Sequence, residues 1–184
     1  KGHLLGTDRV GRDILTLLMV AGRVSLWMAF AAVFIQMCLG ITLGLVSGYC
    51  KGWADHIIMS VSDIFLSIPV LLVLLLAAAF IGELAISNNE KMFITAAIIG
   101  GLSWPPCARI IRSETRRLEN QSFVLAAKAN GVSAYRIITR YILPNLLTHI
   151  AAATAIGFAD ALAAESVLSF LGLGVSPPLV SWGA

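Results

Sequence analysis

The chain predicts an all-α integral membrane helical bundle, and three observations carry that class. Hydrophobic residues make up 58% of its 184 residues and charged residues 12%, with a mean hydropathy of +0.88. A soluble domain carries about 25% charge, so too few charges are present to wet the whole surface. The apolar residues fall in runs of about twenty, the length that carries an α-helix across a hydrocarbon core of roughly 30 Å. The basic residues are gathered rather than spread: seven of the thirteen lie between Arg109 and Arg140. A formal charge of +3 is too small to point to nucleic acid.

Residues 1–24 are polar and punctuated by glycine, with Ile14, Leu15, Leu17, Leu18 and Met19 on one face of a short interfacial helix. The first span runs from Leu26 to Val46 with Gln36 as its one strongly polar side chain. Gly40, Gly44 and Gly48 follow at four-residue spacing, which lets a neighbouring helix approach closely. A turn at Gly48–Trp53 places Trp53 as an interfacial anchor. The second apolar stretch, Ile57–Ile81, holds Asp63 near its start and Pro69 inside, where proline kinks a membrane helix. Gly82–Lys91 is a polar loop. The third stretch, Met92–Ile111, is broken at Trp104-Pro105-Pro106, and the fourth runs from Ile142 to Ala164. The tail from Ser166 is apolar but rich in Gly and Pro, the pattern of a re-entrant or surface piece. Four spans plus a re-entrant segment result.

Lysine and arginine placement orients the bundle. The basic stretch 109–140 faces the cytoplasm and the loop 82–91 the outside. Lys51 is then inside and residues 1–24 outside, with Arg9, Arg12 and Arg23 there partly balanced by Asp8 and Asp13. Cys38, Cys50 and Cys107 show no CxxC and no neighbouring His pair, so they read as small apolar residues in or near helices rather than metal ligands. His3, His56 and His149 are too far apart in sequence to suggest a shared metal.

The stretch Asn120–Pro144 is a mixed-polarity interruption between apolar segments. Gln121–Asn130 is built of helix formers and ends at Asn130-Gly131, where glycine supplies the left-handed residue that stops a helix. Ser133 is a suitable N-cap for a second helix through Ile137, and Pro144 marks where that helix gives way to, or kinks into, the fourth span. Phe123, Val124, Leu125, Ile137 and Ile138 are more apolar surface than a solvated loop needs. Two readings stand: a docking surface for a partner, or a loop packed on the protein's own helices.

Asp63, Asp160 and Glu165 lie in or beside apolar segments, where ionisable groups are functional candidates. Asp63, near the inner boundary, also reads as an exposed helix-end carboxylate. Asp160 and Glu165, near the outer end of the fourth span, either line a translocation path facing an amino group or cation, or hydrogen-bond within the re-entrant turn. Pro69 and Pro105-Pro106 are hinges or static kinks. An intramembrane enzyme built on these carboxylates lacks paired residues at helical spacing such as H-E-x-x-H. A passive channel lacks a charged ring or filter-like repeat.

Ala126-Ala127, then Gly131 after three residues, then Leu143-Pro144 after eleven more, resembles the EAA loop of bacterial ABC importer permeases. Leu125 stands where that pattern has Glu, and Tyr141 where it has Ile. Two further blocks are similar to the permeases of the dipeptide, oligopeptide and nickel group. One is His3-Leu4-Leu5-Gly6-Thr7-Asp8 with Gly11-Arg12-Asp13 and Arg23-Val24-Ser25-Leu26. The other is Ser169-Phe170-Leu171-Gly172-Leu173-Gly174 with Pro177-Pro178 and Ser181-Trp182-Gly183. The resemblance implies a type I ABC importer permease fold and one permease domain over 1–184, with a further helix expected before and after it. It implies that residues 120–144 form a cytoplasmic coupling loop in which Leu125, Ala126, Ala127, Lys128, Ala129, Gly131, Leu143 and Pro144 meet an ATPase subunit. ATP and magnesium would belong to that subunit, which agrees with the absence here of a G-x-x-x-x-G-K-[ST] loop. A homologous second permease, an extracytoplasmic solute-binding protein and the lipid bilayer of a bacterial or archaeal cytoplasmic membrane are the other expected partners. Peptides or nickel complexes would be the cargo.

Overall fold

The computed structural model describes residues 5–7, 11–174 and 180–183. The block residues His3, Leu4 and Asp8, Arg9 of the charge balance, and Pro177-Pro178 lie outside the described residues. Helix α1 runs unbroken from Ile14 to Cys50. Asp13 starts it, its carboxylate accepting from the Thr16 hydroxyl at 2.6 Å and the Thr16 N–H at 3.3 Å. The expected interfacial helix and first span are therefore one element. Gly22 lies within this unbroken helix, and the indole of Trp182 packs where its Cβ would stand, 2.9 Å away.

Lys51, with φ of 55°, reverses the chain into α2, Gly52–Ser67. Pro69 disfavours helical backbone at Ile68, and Ile68 is indeed extended. The expected kink is thus a full break before α3, Val70–Glu83. Helix α4, Asn88–Leu102, opens with a reciprocal capping box that the sequence reading passed over: the Glu90 N–H donates to Ser87 Oγ, and the Ser87 N–H to Glu90 Oε2. Pro105 sits in the first turn of α5, Trp104–Glu119, where its missing N–H costs nothing. The third apolar stretch therefore continues past Ile111, and Arg109, Arg112, Arg116 and Arg117 ride on this helix.

Helices α6, Ser122–Ala129, and α7, Ala134–Ile137, follow as expected. The chain then passes through one π turn at Ile138–Ile142 and one 3-10 turn at Leu143–Leu146 into α8, Leu147–Phe170. Pro144 does not stop it. The Leu143 N–H reaches Ile138 O across the π turn, and the Leu147 N–H reaches Pro144 O in the tighter turn that follows. These two turns place the proline where no α-type bond is missing. The fourth span so extends beyond Ala164 to Phe170. Among the described residues, Ile14–Cys50 and Ala134–Phe170 are each long and apolar enough to cross a membrane, and up to four crossings result if α2 with α3, and α4 with α5, each count as one broken span.

The helices belong to two compact units. One comprises Lys1–Val33, Val70–Gly100 and Phe158–Ala184; the other comprises Phe34–Pro69 and Gly101–Gly157. In the second, Gly40, Gly44 and Gly48 bring α1 against Cys107, Ala108, Ile111 and Thr115 of α5 so closely that no Cβ fits between. The four-residue glycine spacing had this contact as its physical meaning. Cys107 is buried there, whereas Cys38 and Cys50 are exposed.

Candidate functional site

The α6–α7 knob is built on α5. Helix α6 ends in a Schellman motif: the Gly131 N–H bonds Lys128 O at 3.0 Å and the Val132 N–H bonds Ala127 O at 3.1 Å. Gly131 takes φ of 72°. Ser133 occupies the N-cap position of α7 as expected, but its side chain makes no cap bond, and the first turn closes through Ile137 N–H to Ser133 O instead. One face of the knob is buried, with Val124 at 0%, Ala127 at 6% and Ile137 at 1% exposure. The other carries Phe123 at 40%, Leu125 at 50% and Tyr135 at 79%. One face of the loop is thus packed on the protein's own helices, and the opposite face is apolar and exposed.

An ionic framework ties this knob to its unit. Glu119, at the end of α5, accepts from Lys128 of α6 at 2.6 Å and from Lys51 at the α1–α2 reversal at 2.9 Å. Lys128 also stands 5.4 Å from the centre of the Tyr49 ring. One turn further back, Asp55 of α2 takes Arg112 and Arg116 at 2.5 Å each, and the Ser47 hydroxyl donates to the same carboxylate. Arg109 pairs with Asp63 and donates to Ser62. Three of the four α5 arginines thus hold α2, and Arg117 pairs with Glu114 on its own helix, so they do not stand as a free positive patch. Asp55 is the residue sequence reasoning missed. Its signal was an acidic side chain in the first turn after the Gly52 helix start, facing arginines spaced four apart. Asp55→Asn should leave two half-buried guanidinium groups without a counter-charge. Because both are partly solvated, the loss should be about 1–2 kcal/mol, seen as a melting point several degrees lower.

In the other unit, Glu165 is 2% exposed. Its Oε2 accepts from Ser25 at 2.9 Å and its Oε1 from Ser169 at 2.7 Å. The Ser181 hydroxyl donates to Ser169, and the Trp182 N–H donates to Ser25. The carboxylate so joins α1, α8 and the segment around Trp182 in one chain of hydrogen bonds. A cavity of about 70 Å³, room for about two waters, adjoins it, with Lys91, Asn88 and Thr95 also on its wall.

A family model described as binding-protein-dependent transport system inner membrane component matches residues 40–184. The chain belongs to that family. It is 36% identical over 182 residues to the oligopeptide transport system permease protein of Haemophilus influenzae, covering 99% of this chain and 56% of the relative. The dipeptide transport system permease protein of Alkalihalophilus pseudofirmus is 37% identical over 98% of this chain and 57% of its own length. The glutathione transport system permease protein of Pectobacterium atrosepticum is 34% identical over 99% and 58%. This transport-system component therefore spans somewhat over half the length of these curated relatives.

Within this family member, the residues singled out from the sequence separate by depth. Leu125, Ala126, Ala129 and Gly131 are exposed on the knob, Ala127 is buried, and Lys128 is held by Glu119. Leu143 is half-buried and Pro144 exposed in the 3-10 turn. At the position where the loop pattern has Ile, Tyr141 is half-buried and the next residue, Ile142, is fully buried. Asp160 is exposed and Glu165 buried, and no hydrogen bond joins them among the described residues. Asp63 is an exposed carboxylate paired to Arg109, as its boundary position suggested.

Proposed function

We propose that this chain is the core of a membrane-spanning permease subunit of an ATP-driven importer of peptides, working by alternating access in a bacterial or archaeal cytoplasmic membrane. The observation that carries the reading is the two-faced knob. Its buried face fixes it to α5, while Phe123, Leu125 and Tyr135 offer an exposed apolar surface. A cytoplasmic ATPase subunit, binding ATP and magnesium itself, is the proposed occupant. Because α7 continues through the π and 3-10 turns into α8, a push on the knob is delivered along a membrane helix. Such a push biases the helices between two arrangements in proportion to the ATPase's preference for one of them. The relatives named for oligopeptide, dipeptide and glutathione transport favour short peptides as the cargo. A homologous second permease and an extracytoplasmic solute-binding protein complete the proposed assembly.

The test is site-directed crosslinking in a variant whose native cysteines are removed. Cysteines at Leu125 and Ala129, on the exposed face, should crosslink to the ATPase subunit in the assembled complex, and a cysteine at the buried Ala127 should not. Crosslinking from Ala127 alone, or from none of the three, would overturn the docking surface.

A further inference from the structure

We infer that an open groove between α1 and α4 seats the headgroup of an anionic phospholipid, with an acyl chain laid along Trp27 and Phe93. The groove, of about 530 Å³, is lined by Arg23, Val24 and Trp27 of α1 and by Asn89 and Met92 of α4. Each helix presents a polar side chain one turn before an aromatic one: Arg23 before Trp27, and Asn89 before Phe93. Residues four apart on a helix share a face and differ in depth by about 6 Å. The two rings meet at a centroid distance of 6.5 Å and are exposed at 52% and 55%. The result is a polar ledge above an aromatic shelf, the order of groups along a phospholipid from headgroup to acyl chain.

Charge selects among occupants. Arg23 is exposed and has no carboxylate partner among the described residues. The acidic neighbour of Asn89, Glu90, is occupied by the Ser87 N–H and hydroxyl, each at 2.8 Å. An unpaired guanidinium just before the apolar run at Leu26 is matched by a phosphodiester, which accepts two parallel hydrogen bonds from it. The Asn89 amide adds a further donor. A soluble anion would satisfy Arg23 but leave Trp27, Phe93 and Met92 uncovered. A zwitterionic lipid would cover the rings but cancel most of the attraction to Arg23.

The test uses the full-length protein in nanodiscs holding equal phosphatidylglycerol and phosphatidylcholine, then stripped with detergent, with retained lipid identified by native mass spectrometry. The wild type should retain phosphatidylglycerol about five-fold over phosphatidylcholine, the preference expected from one interfacial arginine. R23Q should abolish the preference and R23K should keep most of it. W27A, which removes the shelf and leaves the charge, should lower total retention without reversing the preference, and serves if R23Q proves unstable. Equal retention of the two lipids by the wild type would overturn the assignment, as would an unchanged preference in R23Q. Displacement of phosphatidylglycerol by excess inorganic phosphate would also overturn it, marking a soluble-anion site.

Discussion

Gly44→Leu should yield little folded protein. A Cβ at position 44 would stand 2.7 Å from Ala108 O and 2.7 Å from Ile111 Cβ. The first of these is backbone of α5, which cannot swing aside as a long side chain could. Gly40 and Gly48 on the same face are equally close to α5, so moving α5 away to admit a side chain would open the whole seam. Overpacking of this kind costs about 3 kcal/mol or more. In a protein of this size that corresponds to a melting point lower by roughly 6–12 °C, measurable by thermal shift in detergent. Gly101→Ala is the control: nothing lies within 4 Å of its added Cβ, so it should be neutral or slightly stabilising. A Gly44→Leu protein that melts with the wild type would show that the α1–α5 seam is not as close as described.

Gly131→Val should act by a different physical route, and its effect should appear in transport. Nothing within 4 Å would meet a Cβ there, so space is not the obstacle. The obstacle is φ of 72°, a conformation that costs an L-residue about 1–2 kcal/mol and a β-branched one more. Valine should release the Schellman turn, let α6 overrun its stop, and misdirect Leu125 and Ala129 relative to α5. If the proposed coupling holds, transport should fall by about ten-fold or more while the ATPase subunit keeps turning over. Gly131→Asn, which tolerates left-handed backbone, should retain most transport. Transport unchanged in Gly131→Val would make the knob a merely structural loop.

Much of this was legible in the sequence, for reasons that differ by element. The knob could be read because Asn130-Gly131 and Ser133 are local signals whose chemistry is decided within a few residues. The α1–α5 seam was legible as a glycine spacing, though its partner helix was not, since spacing says that something approaches and not what. Helix ends were harder. Asp13 capping Thr16 and Ser87 paired with Glu90 moved two starts. Asp55 escaped notice because a single acidic residue in a short polar turn has no pattern of its own. Its meaning lies in Arg112 and Arg116, 57 and 61 residues away along the chain. Glu165 was recognisable as a costly residue in an apolar segment, but its hydroxyl donors come from Ser25, 140 residues earlier, and from Ser169.

The π turn at Ile138–Ile142 sets the rotational phase of everything after it. Along this run the fully buried positions are Ile137, Ile142 and Leu146, a step of five and then a step of four. Since an α-helix advances about 100° per residue, an uninterrupted helix that buried Ile137 would turn Tyr141 inward and carry the next span around by a quarter-turn. The one surplus residue absorbs that rotation. Chain length between knob and span is therefore an angular setting, and shortening it by one residue would aim every side chain of α8 at a different neighbour without altering a single contact within the knob itself.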